Sequence, residues 1–128
     1  MRSIALITTA PAGIKFKAPL YLVQEIESKL GKISALTANT TNEVKKNLGF
    51  LLDFISIVNE NVISSRTIDE AIALVKGIDE KDALFISLVL YYDGILWTGD
   101  LKLLRGLRRK GFNQVITTND IENIINGL

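Results

Sequence analysis

The chain reads as an α/β protein with a mostly parallel sheet covered by helices, and three observations lead there. Short β-type runs, IKFKAP, ISIV, ILWT and QVITT, alternate with longer segments of helical apolar spacing, the order that places a parallel sheet between layers of helix. The ILW run is continuously apolar, as in a strand buried on both faces. The 128 residues hold no internal repeat, low-complexity tract or Gly/Ser/Pro-rich linker, so one domain over residues 1–128 is expected.

Each element has its own signal. IKFKAP alternates like a strand, and Pro19 closes it with Ala18 biased to extended geometry. In LYLVQEIESKL the residues Leu22, Val23, Ile26 and Leu30 form a helical stripe, with Glu27 on the far side and Glu25 at the margin. Thr40 and Glu43 have capping-box spacing before Val44, Leu48, Leu51 and Leu52, and ISIV, Ile55 to Val58, follows as a strand. Thr67 and Glu70 repeat the box before Ala71, Leu74 and Val75, and Gly77 supplies the stop. DEKDALFISLVLYYDG is apolar nearly all round after its first turn, and its length favours a buried helix over a strand. ILWT is then a strand, DLKLLRGLRRKG a helix with Leu101, Leu103, Leu104 and Leu107 at apolar positions and Gly111 closing it, QVITT a strand, and NDIENIINGL a helix with Asn119 and Glu122 spaced for capping.

Composition removes several kinds of chemistry. With no cysteine and no histidine, there is no disulfide framework, thiolate metal site, cysteine nucleophile, imidazole base or Ser-His-Asp triad. Any catalysis falls to carboxylates. Hydrophobic residues make up 48% of the chain, yet no apolar run approaches the roughly 18 residues of a membrane span. MRSIALITTAPAG carries a single Arg and too short an apolar stretch for a signal peptide, so a cytoplasmic protein without a membrane partner is expected. Lys and Arg total 15 against 14 Asp and Glu, and any attraction to phosphate is therefore local.

Three acids stand at comparable places: Glu25 in the helix after a strand and proline, Asp82 in the first turn of a buried helix, and Asp100 at the end of a strand. Hard divalent cations take clustered carboxylate oxygens, and a bound ion polarises a phosphoryl oxygen and lowers the pKa of an attacking water. Ordinary structural roles stand beside these. Asp100 is a good N-cap for the Leu101/Leu104/Leu107 helix, Asp82 favours a helix N-terminus electrostatically, Glu25 is a surface residue, and Asp79 is an N-cap.

The blocks FKAPLYLVQEI, GIDEKDALFISLVL and ILWTGDLKLL, in this order and at these distances, resemble the PIN domains, small metal-dependent nucleases. The first block has a proline followed six residues later by an acid, the second an Asp at the head of an apolar helix, and the third a strand ending in Thr, a variable residue and Asp. The resemblance covers nearly the whole chain. It implies a Rossmann-like three-layer α/β/α sandwich with an acidic pocket at the C-terminal edge of a parallel sheet, holding one or two Mg²⁺ or Mn²⁺ ions. Glu25, Asp82 and Asp100 would be its catalytic, metal-holding acids, Asp79 a further metal candidate, and Thr98 a hydroxyl helper.

One part of the pattern is missing. Family members begin with a strand ending in Asp, whereas the first acid here is Glu25. MRSIALITT aligns with the helix after that strand, as though the domain were N-terminally truncated by about 15 to 20 residues. In the rival alignment IALIT is the first strand, with Thr8 or Thr9 in the acid's place, but APAG leaves little chain for a crossover helix. Losing a central strand would leave unpaired backbone, and a swapped or tightly associated homodimer would satisfy it.

The resemblance implies a ribonuclease hydrolysing single-stranded RNA, with the size of a toxin restrained by an antitoxin protein; the alternative is an inactive PIN-like module that binds RNA or a protein. Lys102, Arg105, Arg108 and Arg109, with Lys110, are candidates for RNA phosphates, or a solvated face complementing a helix C-terminus. Trp97, between Leu96 and Thr98, reads as core in preference to a base-stacking platform.

Overall fold

The structure is a computed structural model and describes residues 13–127. The opening residues MRSIALITT, including Thr8 and Thr9, lie outside this range, so both alignments of that segment do too. Helix and strand are mixed, as the α/β reading requires, and every strand pair among the described residues is parallel. Contacts divide the chain into two compact units, 1–59 and 60–128.

In the first unit, β1 (Phe16–Pro19) pairs in parallel with β2 (Ile55–Val58), Phe16 opposite Ile55 and Pro19 opposite Val58. Three helices connect them: α1 (Leu20–Ser28), α2 (Leu30–Thr37) and α3 (Thr41–Leu52). The sequence stripe treats residues through Leu30 as one helix, but the chain breaks at Lys29. There the Ser28 hydroxyl donates to the Glu25 carbonyl at 2.8 Å, and the Lys29 N–H reaches back only three residues, to Ile26. Such local bonds compete with the helical ladder and tighten its last turn. The α3 start is as read: Thr40 Oγ1 accepts the Glu43 N–H at 3.1 Å, and the Glu43 carboxylate accepts the Thr40 N–H. Among the described residues of this unit, Ala18, Pro19, Val44 and Val58 are buried.

The second unit holds α4 (Ser65–Val75), α5 (Ala83–Tyr92), β3 (Leu96–Trp97), α6 (Leu101–Arg109), β4 (Val115–Ile116) and α7 (Thr118–Asn126). Short 3-10 turns occupy Glu60–Val62 and Glu80–Asp82. β3 and β4 pair in parallel, Leu96 opposite Val115. Ala71, Val75, Ile86, Val89, Leu96, Leu103, Leu104, Leu107, Phe112 and Val115 form one core. The near-uniform apolarity of α5 reflects burial of Ile86 to Val89, and buried Ser87 stays satisfied by donating to the Leu84 carbonyl at 2.6 Å. On α6 the core face is Leu103, Leu104 and Leu107, while Leu101 is half exposed to solvent. No described helix is long and apolar enough to cross a membrane.

Two caps differ from the sequence reading. Helix α4 starts at Ser64, whose hydroxyl accepts the Thr67 N–H, and Glu70 instead faces Arg66 at 3.9 Å. Helix α7 is capped by Thr117 with Asp120, not by Asn119 with Glu122.

Candidate metal centre

The backbone of Thr98 continues the β3–β4 ladder, its N–H donating to the Ile116 carbonyl at 3.1 Å. Its hydroxyl oxygen turns forward and accepts the Asp100 N–H at 3.0 Å. Asp100 then caps α6, with Oδ1 accepting the Leu103 N–H at 3.1 Å. The cap reading and the pocket reading of Asp100 are compatible, because a carboxylate has a second oxygen and spare lone pairs.

A second strand-free segment brings the other acids. Gly77, at φ +79, ends the run after α4, and Asp79 caps the 3-10 turn that follows, its Oδ1 accepting the Lys81 N–H at 3.2 Å. Asp82 stands at the N-cap position of α5 but makes no side-chain cap bond. One carboxylate oxygen from each of Asp79, Asp82 and Asp100 lies within 4.8 Å of the others. Asp79 and Asp82 are half-buried and Asp100 is exposed.

Electrostatics place a load on Asp82. Burial foremost, then the negative charges of Asp79 and Asp100 and a hydrogen bond with Asp79, hold its pKa above the ordinary carboxylate value. The starts of α5 and α6 offset part of this repulsion through their partial positive charge. Three oxygen donors in mutual repulsion suit a hard divalent cation, which would neutralise them together. The residues present therefore fit such an ion.

Glu25 belongs to the first unit. It is half-buried on α1 and pairs with Lys29 at 3.0 Å, and it hydrogen-bonds Tyr21, whose pKa it raises.

The basic run separates into two sets. Lys110 Nζ donates to the carbonyls of Ala73 at 3.1 Å and Lys76 at 2.7 Å, so it complements a helix C-terminus, though that of α4 and not its own. Arg108 Nη2 lies 3.5 Å from the Val115 carbonyl, and its charge helps lower the Asp120 pKa. Lys102, Arg105 and Arg109 are exposed, and at about 3.6 residues per turn they fall within an arc of roughly 60° opposite the Leu103/Leu104/Leu107 face. Trp97 is half-buried, and its indole N–H donates to Thr118 Oγ1 at 3.0 Å, tying β3 to α7.

The sequence offers Asp79 only as a cap with a metal role second to the other acids, and it is Asp79 that lies closest in chemistry to Asp82, through their shared hydrogen bond. Gly106 escapes sequence reading altogether. A Cβ there would lie 2.6 Å from Ile78 Cδ1, a contact that only the folded chain reveals.

In comparison with known proteins, a family model described as a PIN domain matches residues 1–121. No curated protein and no solved structure matches the chain.

Proposed function

This chain belongs to the PIN domain family, a family of divalent-metal-dependent nucleases, and from that premise we propose that it is a ribonuclease hydrolysing phosphodiester bonds of single-stranded RNA. The observation that carries the reading is the approach of the Asp79, Asp82 and Asp100 carboxylates to within 4.8 Å. These three would hold Mg²⁺ or Mn²⁺, both of which accept all-oxygen sites. When bound, the ion supplies Lewis-acid polarisation of a phosphoryl oxygen and a lowered pKa for an attacking water.

The protein's own groups set the stage for that chemistry. Asp100 is oriented by Thr98 behind it and by the Leu103 N–H ahead of it. Asp79 is fixed by the Lys81 N–H, and Asp82, free of capping, turns its charge toward its neighbours. Lys102, Arg105 and Arg109 would take backbone phosphates of the bound strand. Glu25 joins the acidic set on the sequence resemblance alone. The same resemblance supports a cytoplasmic toxin restrained by an antitoxin protein, and a homodimer.

A second reading, an inactive module that binds RNA or a protein, is favoured by one observation: Asp100 caps α6 through the Leu103 N–H, a structural role that needs no metal. Incubating labelled single-stranded RNA with the chain and Mn²⁺, beside Asp82→Asn and a chelator control, separates the two. Metal-dependent cleavage that disappears in Asp82→Asn supports the nuclease. RNA binding without cleavage by folded protein overturns it in favour of the module.

A further inference from the structure

The segment that carries Asp79 is fastened to α6 at two points. Gly106 faces Ile78 so closely that a Cβ would lie 2.6 Å from Ile78 Cδ1, 2.8 Å from Cγ1 and 3.1 Å from Cγ2. One turn further along, Lys110 Nζ holds the carbonyls of Ala73 and Lys76, the end of α4 and the residue after it. Asp79 immediately follows Ile78, and Asp100 caps the same α6. One helix therefore carries one carboxylate at its start and clamps the stretch that carries another.

We propose that Gly106 and Lys110 are positioning residues for the carboxylate cluster, indexing the Lys76–Asp79 segment on α6 and so setting the distance from Asp79 to Asp100. The inference rests on the metal-binding reading above. Ile78 is β-branched and stiff about χ1, and it packs against the core of this unit. A Cβ at position 106 would meet its Cδ1, Cγ1 and Cγ2 together, so more than the tip of the side chain has to shift. Part of that displacement passes into the Ile78 backbone, and Asp79 is the next residue. Lys110 acts on the same stretch from the other side, since the Lys76 carbonyl that it holds lies three residues before Asp79. Cation sites depend on ligand placement, and groups that orient ligands from behind matter nearly as much as the ligands.

The test is Mn²⁺ affinity by calorimetry on the full chain, with a melting curve for each protein. Gly106→Ala is expected to bind Mn²⁺ about tenfold more weakly, and adding Ile78→Ala, which vacates the space, to restore most of that loss. Lys110→Met is expected to weaken binding as well, although removing a positive charge would by itself tighten a cation site. Lys76→Met, an equal charge change that leaves the held carbonyl in place, should not weaken it. If the wild type binds no Mn²⁺, the metal-binding reading fails and this inference falls with it. If the wild type binds and Gly106→Ala binds equally well, or if Ile78→Ala gives no rescue, only the positioning role is overturned. Should Gly106→Ala fail to fold, equal affinities for Lys110→Met and Lys76→Met overturn it.

Discussion

The Thr98 hydroxyl accepts the Asp100 N–H at 3.0 Å while the Asp100 carboxylate accepts the Leu103 N–H at 3.1 Å. These bonds lock the turn between β3 and α6 from both sides, so the carboxylate is aimed by the protein alone. Thr98→Val keeps the shape and removes the acceptor. Mn²⁺ affinity should fall by about tenfold, and Thr98→Ser, which keeps the oxygen, should recover it; calorimetry of the three proteins checks both statements.

Asp82 caps nothing and sits among like charges. In metal-free protein Asp82→Asn should therefore raise stability, by only about 0.3 kcal/mol because solvent screens a group this open. Mn²⁺ should raise the melting temperature of the wild type and leave that of the variant unmoved. Paired thermal melts with and without metal show whether the two effects separate.

The pH dependence of that gain has a definite sign. The Asp82 pKa is raised in the fold, so the folded protein binds this proton more tightly than the unfolded chain does. Below the ordinary carboxylate range both states are protonated and nothing is lost; as pH rises through the raised pKa the metal-free fold loses stability. The advantage of Asp82→Asn should thus vanish near pH 3, below the ordinary Asp value of about 3.9, and grow to a plateau toward neutrality. Asp120 runs the other way. Bonds from Thr117 hold its pKa low, so its contribution is present above the ordinary range and lost as pH falls through the folded value. Urea titrations of both Asp→Asn variants across acid pH should give opposite slopes.

Lys102, Arg105 and Arg109 point away from the α6 core, so replacing all three with alanine should leave stability nearly unchanged. It should reduce the salt dependence of single-stranded RNA binding by about two units of log–log slope, at roughly 0.7 per phosphate contact. An unchanged slope would show that the strand runs elsewhere.

Thr117 opens the box that starts α7, its hydroxyl accepting the Asp120 N–H at 3.1 Å. Thr117→Ala should cost about 1 kcal/mol, and its effect is readable through the single tryptophan, because Trp97 donates to the neighbouring Thr118. Fluorescence-monitored denaturation gives the number.

Most of the second unit is legible in sequence because its signals do not compete. Asp100 is the one polar side chain well placed to cap α6, and Gly77 and Gly111 both adopt the positive φ that ends a helical run. Caps are misread where candidates crowd together: Ser64, Ser65 and Thr67 cluster at the start of α4, and Thr117, Thr118 and Asn119 at the start of α7. Packing then chooses among them, by which register buries Ala71 and Val75, or Ile121. The break at Lys29 turns on a serine hydroxyl finding a carbonyl behind it, which spacing does not announce. The carboxylate cluster is half legible. Asp82 and Asp100 stand out by their elements, but the approach of Asp79 depends on Ile78 nesting on Gly106, contacts 28 positions apart in the chain.

The contrast between Asp82 and Asp100 reaches beyond a single molecule. Asp100 has a folding role whatever its chemistry, since it caps α6, and purifying selection for a stable helix would retain it in a gene copy whose activity had already decayed. Asp82 has no cap to maintain, and its charge burdens the metal-free fold. Genetic drift in a copy released from its chemistry would erode Asp82 first and Asp100 late. Among descendants of this gene, an intact Asp82 is therefore the better mark of a working lineage.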